Sequence, residues 1–380
     1  MDFTFNDEQQ QLANALRRYL EKEYGFEARR AIIASAAGVS DTQWAAFAEL
    51  GLSALPVPEA HGGFSGNAID MLVVMQELGR ALAVEPYWAT VTGVEALRLA
   101  GGDEADHALL DKVARGELKL AVAFHEPGAR YDLFAVGTKA ARHDHRYMLD
   151  GTKSVVQQGA QADFWIVPAR VDAGEIALFV VARGAAGVDV TDYRTIDGQR
   201  AATLRFAQTP ARPLSLGDTR AGAATLERIA DYATVLLCAE ALGALDALNR
   251  ATVEYTKTRE QFGAPIARFQ ALQHRMVDMM IHTEQARSLT YVAAIRYATS
   301  AADDERRRAV SAAKARIGQA ARFVGQQAIQ LHGGMGMTNE VMAAHLFKRL
   351  SIIETTLGDV DHHLARFAAL PGFAAADAID

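Results

Sequence analysis

The period of the apolar residues changes twice along this chain, and that limits the folds open to it. Leu12, Leu16 and Leu20 follow Asn6-Asp7 at helical spacing, with an N-capping residue in front. Asp41 is expected to cap a second helix carrying Trp44, Phe47 and Leu50. Asn67 or Asp70 is expected to open a third through Met71, Val74, Met75 and Leu78. Near Leu118 the pattern turns to short extended runs: Leu120–Phe124, Tyr147–Leu149, Thr152–Val156, Phe164–Val167, Ile176–Val181 and Ala202–Phe206. Asp150-Gly151 reads as the turn of a hairpin, and Pro210 and Pro213 as the close of the β region. From about residue 216 helical spacing returns. Phe269, Leu272, Met276 and Met280 make one stripe, and Val310, Ala313, Ile317 and Ala320 another, with breaks at Pro265 and at glycines 333, 334 and 336. The order predicts an α+β multidomain chain: a helical N-terminal domain (1–118), a middle β-barrel or sandwich (119–214) and a C-terminal four-helix bundle (215–380).

Composition excludes several functions. The formal charge of −7, from 39 basic and 46 acidic residues, argues against a nucleic-acid partner. The one cysteine, Cys238, allows no intrachain disulfide and reads as a small core residue among Val235, Leu236, Leu237 and Ala239. Met1-Asp2-Phe3-Thr4 has no basic segment leading into an apolar run, and no stretch nears the ~20 residues that span a bilayer. The expected location is the cytoplasm. Asp359, Asp361, His362 and His363 are metal-ligating types, but on a helix 361, 362 and 363 point in different directions, so no metal is expected. His143-Asp144-His145 reads as a solvated turn. There is no Gly-x-Ser-x-Gly elbow.

Two motifs carry chemistry. Gly333-Gly334-Met335-Gly336 lets backbone amides approach a phosphate, or simply ends a helix. Arg259, at the end of a long helix that starts near Gly217, either complements the helix dipole or forks onto a pyrophosphate.

Taken in order, the motifs resemble the acyl-CoA dehydrogenase family over nearly the whole chain. They are Gly51-Leu52 through Pro56-Val57-Pro58-Glu59-Ala60-His61-Gly62-Gly63; Glu126-Pro127-Gly128-Ala129 with Asp132; Gly151-Thr152-Lys153 with Gly159 and Ala162-Asp163; Tyr255 and Arg259-x-x-Phe262-Gly263 with Phe269-Gln270; and Gln330-x-x-Gly333-Gly334-x-Gly336. Within the family, GQQAIQLHGGMGMT and LGDVDHHLARF are most similar to the small-subunit type of pimeloyl-CoA dehydrogenase. The resemblance implies FAD, an acyl-CoA substrate and electron-transfer flavoprotein as electron acceptor. It implies a reaction in which a carboxylate removes the α-proton while a hydride leaves the β-carbon for the flavin. It also implies a flavin shared between subunits, its ring on one β-domain and its ADP and pyrophosphate on the neighbour's bundle. Arg259, Phe262, Gln270, Gln330, Gly333 and Gly334 match that second clamp. His125, Gln157 and Gly358 are further expected cofactor positions, Gln157 offering a hydrogen bond near flavin N5.

The ring side departs from the family. Arg130-Tyr131-Asp132 replaces Gly-Ser-Asp, and Val155 stands where an aromatic is usual. The family glutamate belongs 27 residues after Gln330 or 26 before Arg259, and those positions hold Leu357 and Ala233. Neither accepts a proton. Asp231, Glu240, Glu354 and Asp359 are nearby, and each reads as a solvated or ion-paired surface group. The expectation is the base-lacking small subunit of a heteromeric dehydrogenase working with a homologous larger subunit. The alternatives are a homo-oligomer with a relocated base and a non-catalytic homologue that binds CoA esters.

Overall fold

Asn6 accepts the Gln9 N–H at 2.8 Å, and the Gln9 side chain returns a bond to the Asn6 N–H, a capping box that starts helix α1 (Asp7–Glu23). The computed structural model describes residues 5–143, 146–171, 174–214, 222–299 and 302–371. After α1 come α2 (Phe26–Ala34), α3 (Asp41–Glu49), α4 (Ala68–Ala81), α5 (Tyr87–Ala100) and α6 (Glu104–Ala114). The strands are β1 (Leu120–Val122), β2 (Lys139–His143), β3 (Arg146–Gln157), β4 (Phe164–Arg170), β5 (Ile176–Ala182), β6 (Val188–Arg194) and β7 (Arg200–Pro213). Then follow α7 (Gly222–Thr258), the two-residue strands β8 (Glu260–Gln261) and β9 (Ala264–Pro265), α8 (Gln270–Ala298), α9 (Asp303–His332), α10 (Met342–Thr355) and α11 (Val360–Ala368). The described residues divide into two compact units. One takes the chain up to Arg30, Ala68–Ala83 and everything from Thr234; the other takes Ala31–Asn67 and Val84–Ala233.

The second unit is built on the sheet. Strands β4, β2, β3, β7 and β5 pair in that order and β5 returns to β4, closing a barrel, with β1 added beside β4 and β6 beside β7. Closure removes the free edges that an open sheet would present. The interior holds Leu149, Trp165, Val167, Phe179, Val181, Leu204 and Phe206. Each such side chain contributes roughly 1.5–3 kcal/mol by leaving water.

The structure corrects two local expectations here. Ser40, not Asp41, caps α3, accepting the Gln43 N–H at 3.2 Å; Asp41 is the first helical residue. Asp150-Gly151 is not a hairpin turn. Both lie inside β3, where the pairing with β7 shifts between Leu149 and Gly151. Gly151 takes φ 156°, and a Cβ there would stand 2.7 Å from Thr138 Cα, so glycine serves a bulge. The hairpin joins β2 to β3, His143 pairing with Arg146; Asp144 and His145 lie outside the described residues. Pro213 is the last residue of β7 and closes the β region as expected, with Pro210 inside the same strand opposite Met148. Strands β2 and β6 were not anticipated, their burial being too irregular to show alternation.

In the other unit, α7 from Thr234 onward, α8, α9 and α10 form the helical bundle, with α4 and α1 packed beside it. Residues 215–221 are outside the described residues, so α7 is described from Gly222 rather than Gly217. Helices α4 and α7 pack backbone to backbone. A Cβ on Gly79 would lie 2.0 Å from the Glu240 carbonyl oxygen, and one on Gly243 1.8 Å from that of Gln76. At the same crossing the Glu240 carboxylate takes two bonds from the Arg349 guanidinium of α10, at 2.6 and 2.8 Å, and both side chains are buried. The stripe read on α8 is only partly inward. The buried face is Met279, Thr283, Ala286, Thr290 and Ala293, while Met280 is 55% exposed and Phe269 37%. With Val277 and Ile281 they leave an outward apolar strip near the start of the helix.

Candidate functional site

Helix α7 ends at Thr258, and the chain turns back at once through the β8–β9 hairpin. Gln261 pairs with Ala264 across Phe262-Gly263, and both central residues have positive φ, 55° and 77°. A tight hairpin of this kind needs that geometry. A phenylalanine accepts it only at a cost. Phe262 is nonetheless 93% exposed, touching Phe269 edge to face with ring centroids 6.1 Å apart.

The hairpin sets Arg259 at the rim of a cavity of about 630 Å³. Its backbone is fixed by N–H donation to the Tyr255 carbonyl at 2.9 Å and by accepting the Ile266 N–H at 2.8 Å. Helix α9 stops opposite, at His332. Gly333 caps it with φ 58° and donates its N–H to the Gln330 carbonyl. The motif therefore does end a helix, and Gln330, Gly333 and Gly334 line the same cavity as Arg259. Phe262 and Gln270 are not among its lining residues; both face solvent beside it. Tyr255, named with the Arg259 motif, forms a wall, and two further residues of the lining were not legible in the sequence: His332, stacked on Tyr255 at 4.4 Å, and Arg275 from the second turn of α8. Burial lowers the His332 pKa, against a bond to the Ala328 carbonyl at 2.8 Å that raises it. The ring stays neutral near pH 7.

In the barrel unit, His125 and Glu126 follow β1. The Glu126 carboxylate accepts Lys153 Nζ at 2.7 Å, the Gly137 N–H at 2.7 Å and the Thr138 N–H at 3.1 Å, tying the 126–138 loop to β3. Burial pulls Lys153 down to about 8 in spite of that partner. Burial, with the Lys153 charge adding to it, holds His125 at about 4, so its imidazole is neutral. Its carbonyl accepts the Ser154 N–H at 2.9 Å. Val155 has φ 50° and is 49% exposed, Val156 is buried, and Gln157 is half-buried at the end of the strand.

Both positions where the resemblance calls for a glutamate are aliphatic and buried. Ala233 is fully buried, and its carbonyl accepts the Trp88 indole N–H at 3.0 Å. Leu357 is 6% exposed with φ 57°, followed by Gly358 at φ 112°. That turn is tied from below. Lys314 Nζ donates to the Glu354 carbonyl at 2.9 Å and the Gly358 carbonyl at 2.5 Å, and His363 Nε2 meets the Leu357 carbonyl at 3.0 Å. Desolvation brings Lys314 down to about 8 and His363 well below its ordinary value. The nearby carboxylates are otherwise engaged. Glu354 binds Arg322 at 2.7 Å, and Asp359 caps α11 through the His362 N–H at 2.9 Å. Asp231 and Glu240, expected at the surface, are both buried, Glu240 on Arg349.

A helical segment, a closed barrel and a helical bundle with an arginine–glycine cavity at the ends of its long helices give the chain an α–β–α architecture. The chain belongs to the acyl-CoA dehydrogenase family. Residues 6–117, 121–209 and 221–369 match its N-terminal, middle and C-terminal domain models. A curated relative, acyl-CoA dehydrogenase IpdE2 of Mycobacterium tuberculosis, is 31% identical over 90% of this chain and 91% of its own length. Among solved structures, the ChsE4–ChsE5 complex of Mycobacterium tuberculosis superposes with a TM-score of 0.89 at 27% identity, over 97% of this chain and 98% of that one. A variant of the Tcur3481–Tcur3483 steroid ACAD does so with a TM-score of 0.88 at 30% identity, over 97% and 99%. The family comprises FAD-dependent oxidoreductases acting on the CH–CH bond of acyl-CoA thioesters. Among the described residues no helix is long and apolar enough to cross a membrane.

Proposed function

We propose that this chain is the base-lacking subunit of a heteromeric FAD-dependent acyl-CoA dehydrogenase, of the small-subunit type seen in pimeloyl-CoA dehydrogenase. The observation that carries this reading is the asymmetry between the two half-sites. Arg259, Gln330, Gly333 and Gly334 share one open cavity, while Leu357 and Ala233 are buried aliphatics. Near them, Glu240, Glu354 and Asp359 are committed to an arginine or a helix cap.

The cavity fits the ADP portion of the cofactor. A Cβ added at Gly333 or Gly334 meets nothing within 4 Å, so the backbone is open to a bulky anion. Arg259 offers a guanidinium fork suited to phosphate oxygens. Phe262, held outward on its strained turn, suits burial against a neighbouring protomer, as does the apolar strip of Val277, Met280 and Ile281. When bound, FAD supplies the hydride acceptor. The residues of this chain hold its phosphates, and the carboxylate that takes the α-proton comes from the partner. Electrons then leave to an electron-transfer flavoprotein. Neighbours such as the ChsE4–ChsE5 complex, whose name joins two different chains, support a mixed assembly.

The test is co-expression with a homologous chain that carries glutamate at the position equivalent to Leu357 or Ala233. The co-purified pair is expected to show flavin absorbance, and this chain purified alone is expected to show none. Stoichiometric flavin in the lone chain would favour the homo-oligomer, and no flavin in any combination the non-catalytic homologue.

A further inference from the structure

Arg259 is not the sole cation of the cavity. Arg275, on the second turn of α8, lines the same 630 Å³ space and is steadied by donating from Nη1 to Gln327 Oε1 at 3.2 Å. The two arginines come from separate elements, one from the end of α7 and one from α8, and the cavity between them is also lined by two residues without side chains, Gly333 and Gly334. A diphosphate carries two adjacent negative groups, and a single planar fork satisfies one of them at a time. His332 adds no charge near pH 7, because burial keeps its ring neutral. The cationic lining on this side is therefore Arg259 and Arg275.

We infer that Arg275 is a second anion-binding residue of the clamp, so that the cavity discriminates a diphosphate from a monophosphate. This rests on the reading of the cavity as a cofactor clamp. It goes further by assigning a residue outside every motif and by giving the site a chemical selectivity. Gln327 is its positioning residue, holding the guanidinium toward the cavity in the absence of ligand.

The experiment is calorimetric titration of the full chain with ADP and with AMP, repeated on Arg275→Gln, Arg275→Lys and Arg259→Gln. Near-ultraviolet circular dichroism and thermal midpoints establish that each variant is folded; Arg275 lies at the surface, so its substitution should leave both unchanged. Wild-type chain should prefer ADP by roughly tenfold, the scale of one charge-assisted contact. Arg275→Gln should remove that preference while leaving AMP binding within about twofold, and Arg275→Lys should restore it in part, charge without the fork. Full ADP preference in Arg275→Gln, with binding lost in Arg259→Gln, overturns the inference and leaves the clamp standing. Binding of neither nucleotide by wild-type chain, combined with flavin retention in the co-expressed pair whether or not Arg275 is replaced, also overturns it. Indifference of that pair's flavin to Arg259→Gln as well overturns the clamp itself.

Discussion

Arg349→Met should destabilise the helical bundle by about 3–5 kcal/mol, the cost of leaving a buried carboxylate without its partner. Glu240 sits on α7 where the helix meets α4 so closely that Gly79 and Gly243 leave no room for a side chain between the backbones. The carboxylate is buried at that crossing, and its two bonds to Arg349 compensate it for the loss of water. Glu240→Gln should cost less, since an amide still accepts from the guanidinium. The double replacement Glu240→Leu with Arg349→Met should recover most of the loss, because two apolar groups leave nothing unpaired. Urea denaturation of the three variants checks the order, with a shifted midpoint and an unchanged slope marking a change in stability alone. The same series separates structure from catalysis. In the co-expressed pair, Glu240→Gln should leave flavin reduction by substrate intact, whereas a relocated base at Glu240 would lose it by orders of magnitude.

The second large effect concerns the cofactor. Arg259→Ala in this chain, with the partner unchanged, should weaken flavin retention by the assembly about 10- to 100-fold, the range of one or two bonds to a charged group. Arg259 is on the surface just beyond α7 and has no structural partner for its guanidinium among the described contacts, so the fold should be unaffected. Flavin content after gel filtration, set against the thermal midpoint of the complex, checks this. Loss of flavin without loss of midpoint assigns the residue to binding. Because the substitution is made in the chain proposed to lack the base, the same experiment tests which subunit holds the phosphates.

Much of this was legible because the informative residues are local in sequence. The N-capping residue before α1 marks a helix start, and the helical stripe of Val310, Ala313, Ile317 and Ala320 and the extended runs of β4 and β5 each report a period that the backbone alone sets. Leu357 and Ala233, the positions where the resemblance implies a glutamate, were found by counting from the glycine and arginine motifs. What failed depended on tertiary context. Asp-Gly favours a turn in isolation, but at 150–151 the strand continues, and the glycine is needed because Thr138 lies against it. The stripe through Phe269, Leu272, Met276 and Met280 has helical period, yet its members at 269 and 280 face outward; periodicity identifies an apolar face without saying what covers it. Asp231 and Glu240 were misread as surface groups because burial of an acid depends on a partner far away in sequence, Arg349 in the case of Glu240. Arg275 belongs to no motif, and only the meeting of α8 with the end of α9 sets it on the cavity wall.

The central claim is that this chain holds a flavin's phosphates but cannot remove a substrate's proton. Anaerobic titration with a set of acyl-CoA thioesters, following the visible flavin band, tests it most directly. The co-expressed pair should bleach with its preferred thioester, and the same pair with the partner's glutamate changed to glutamine should keep its flavin and stay yellow. Bleaching of flavin on this chain alone, with Leu357 and Ala233 in place, would contradict it.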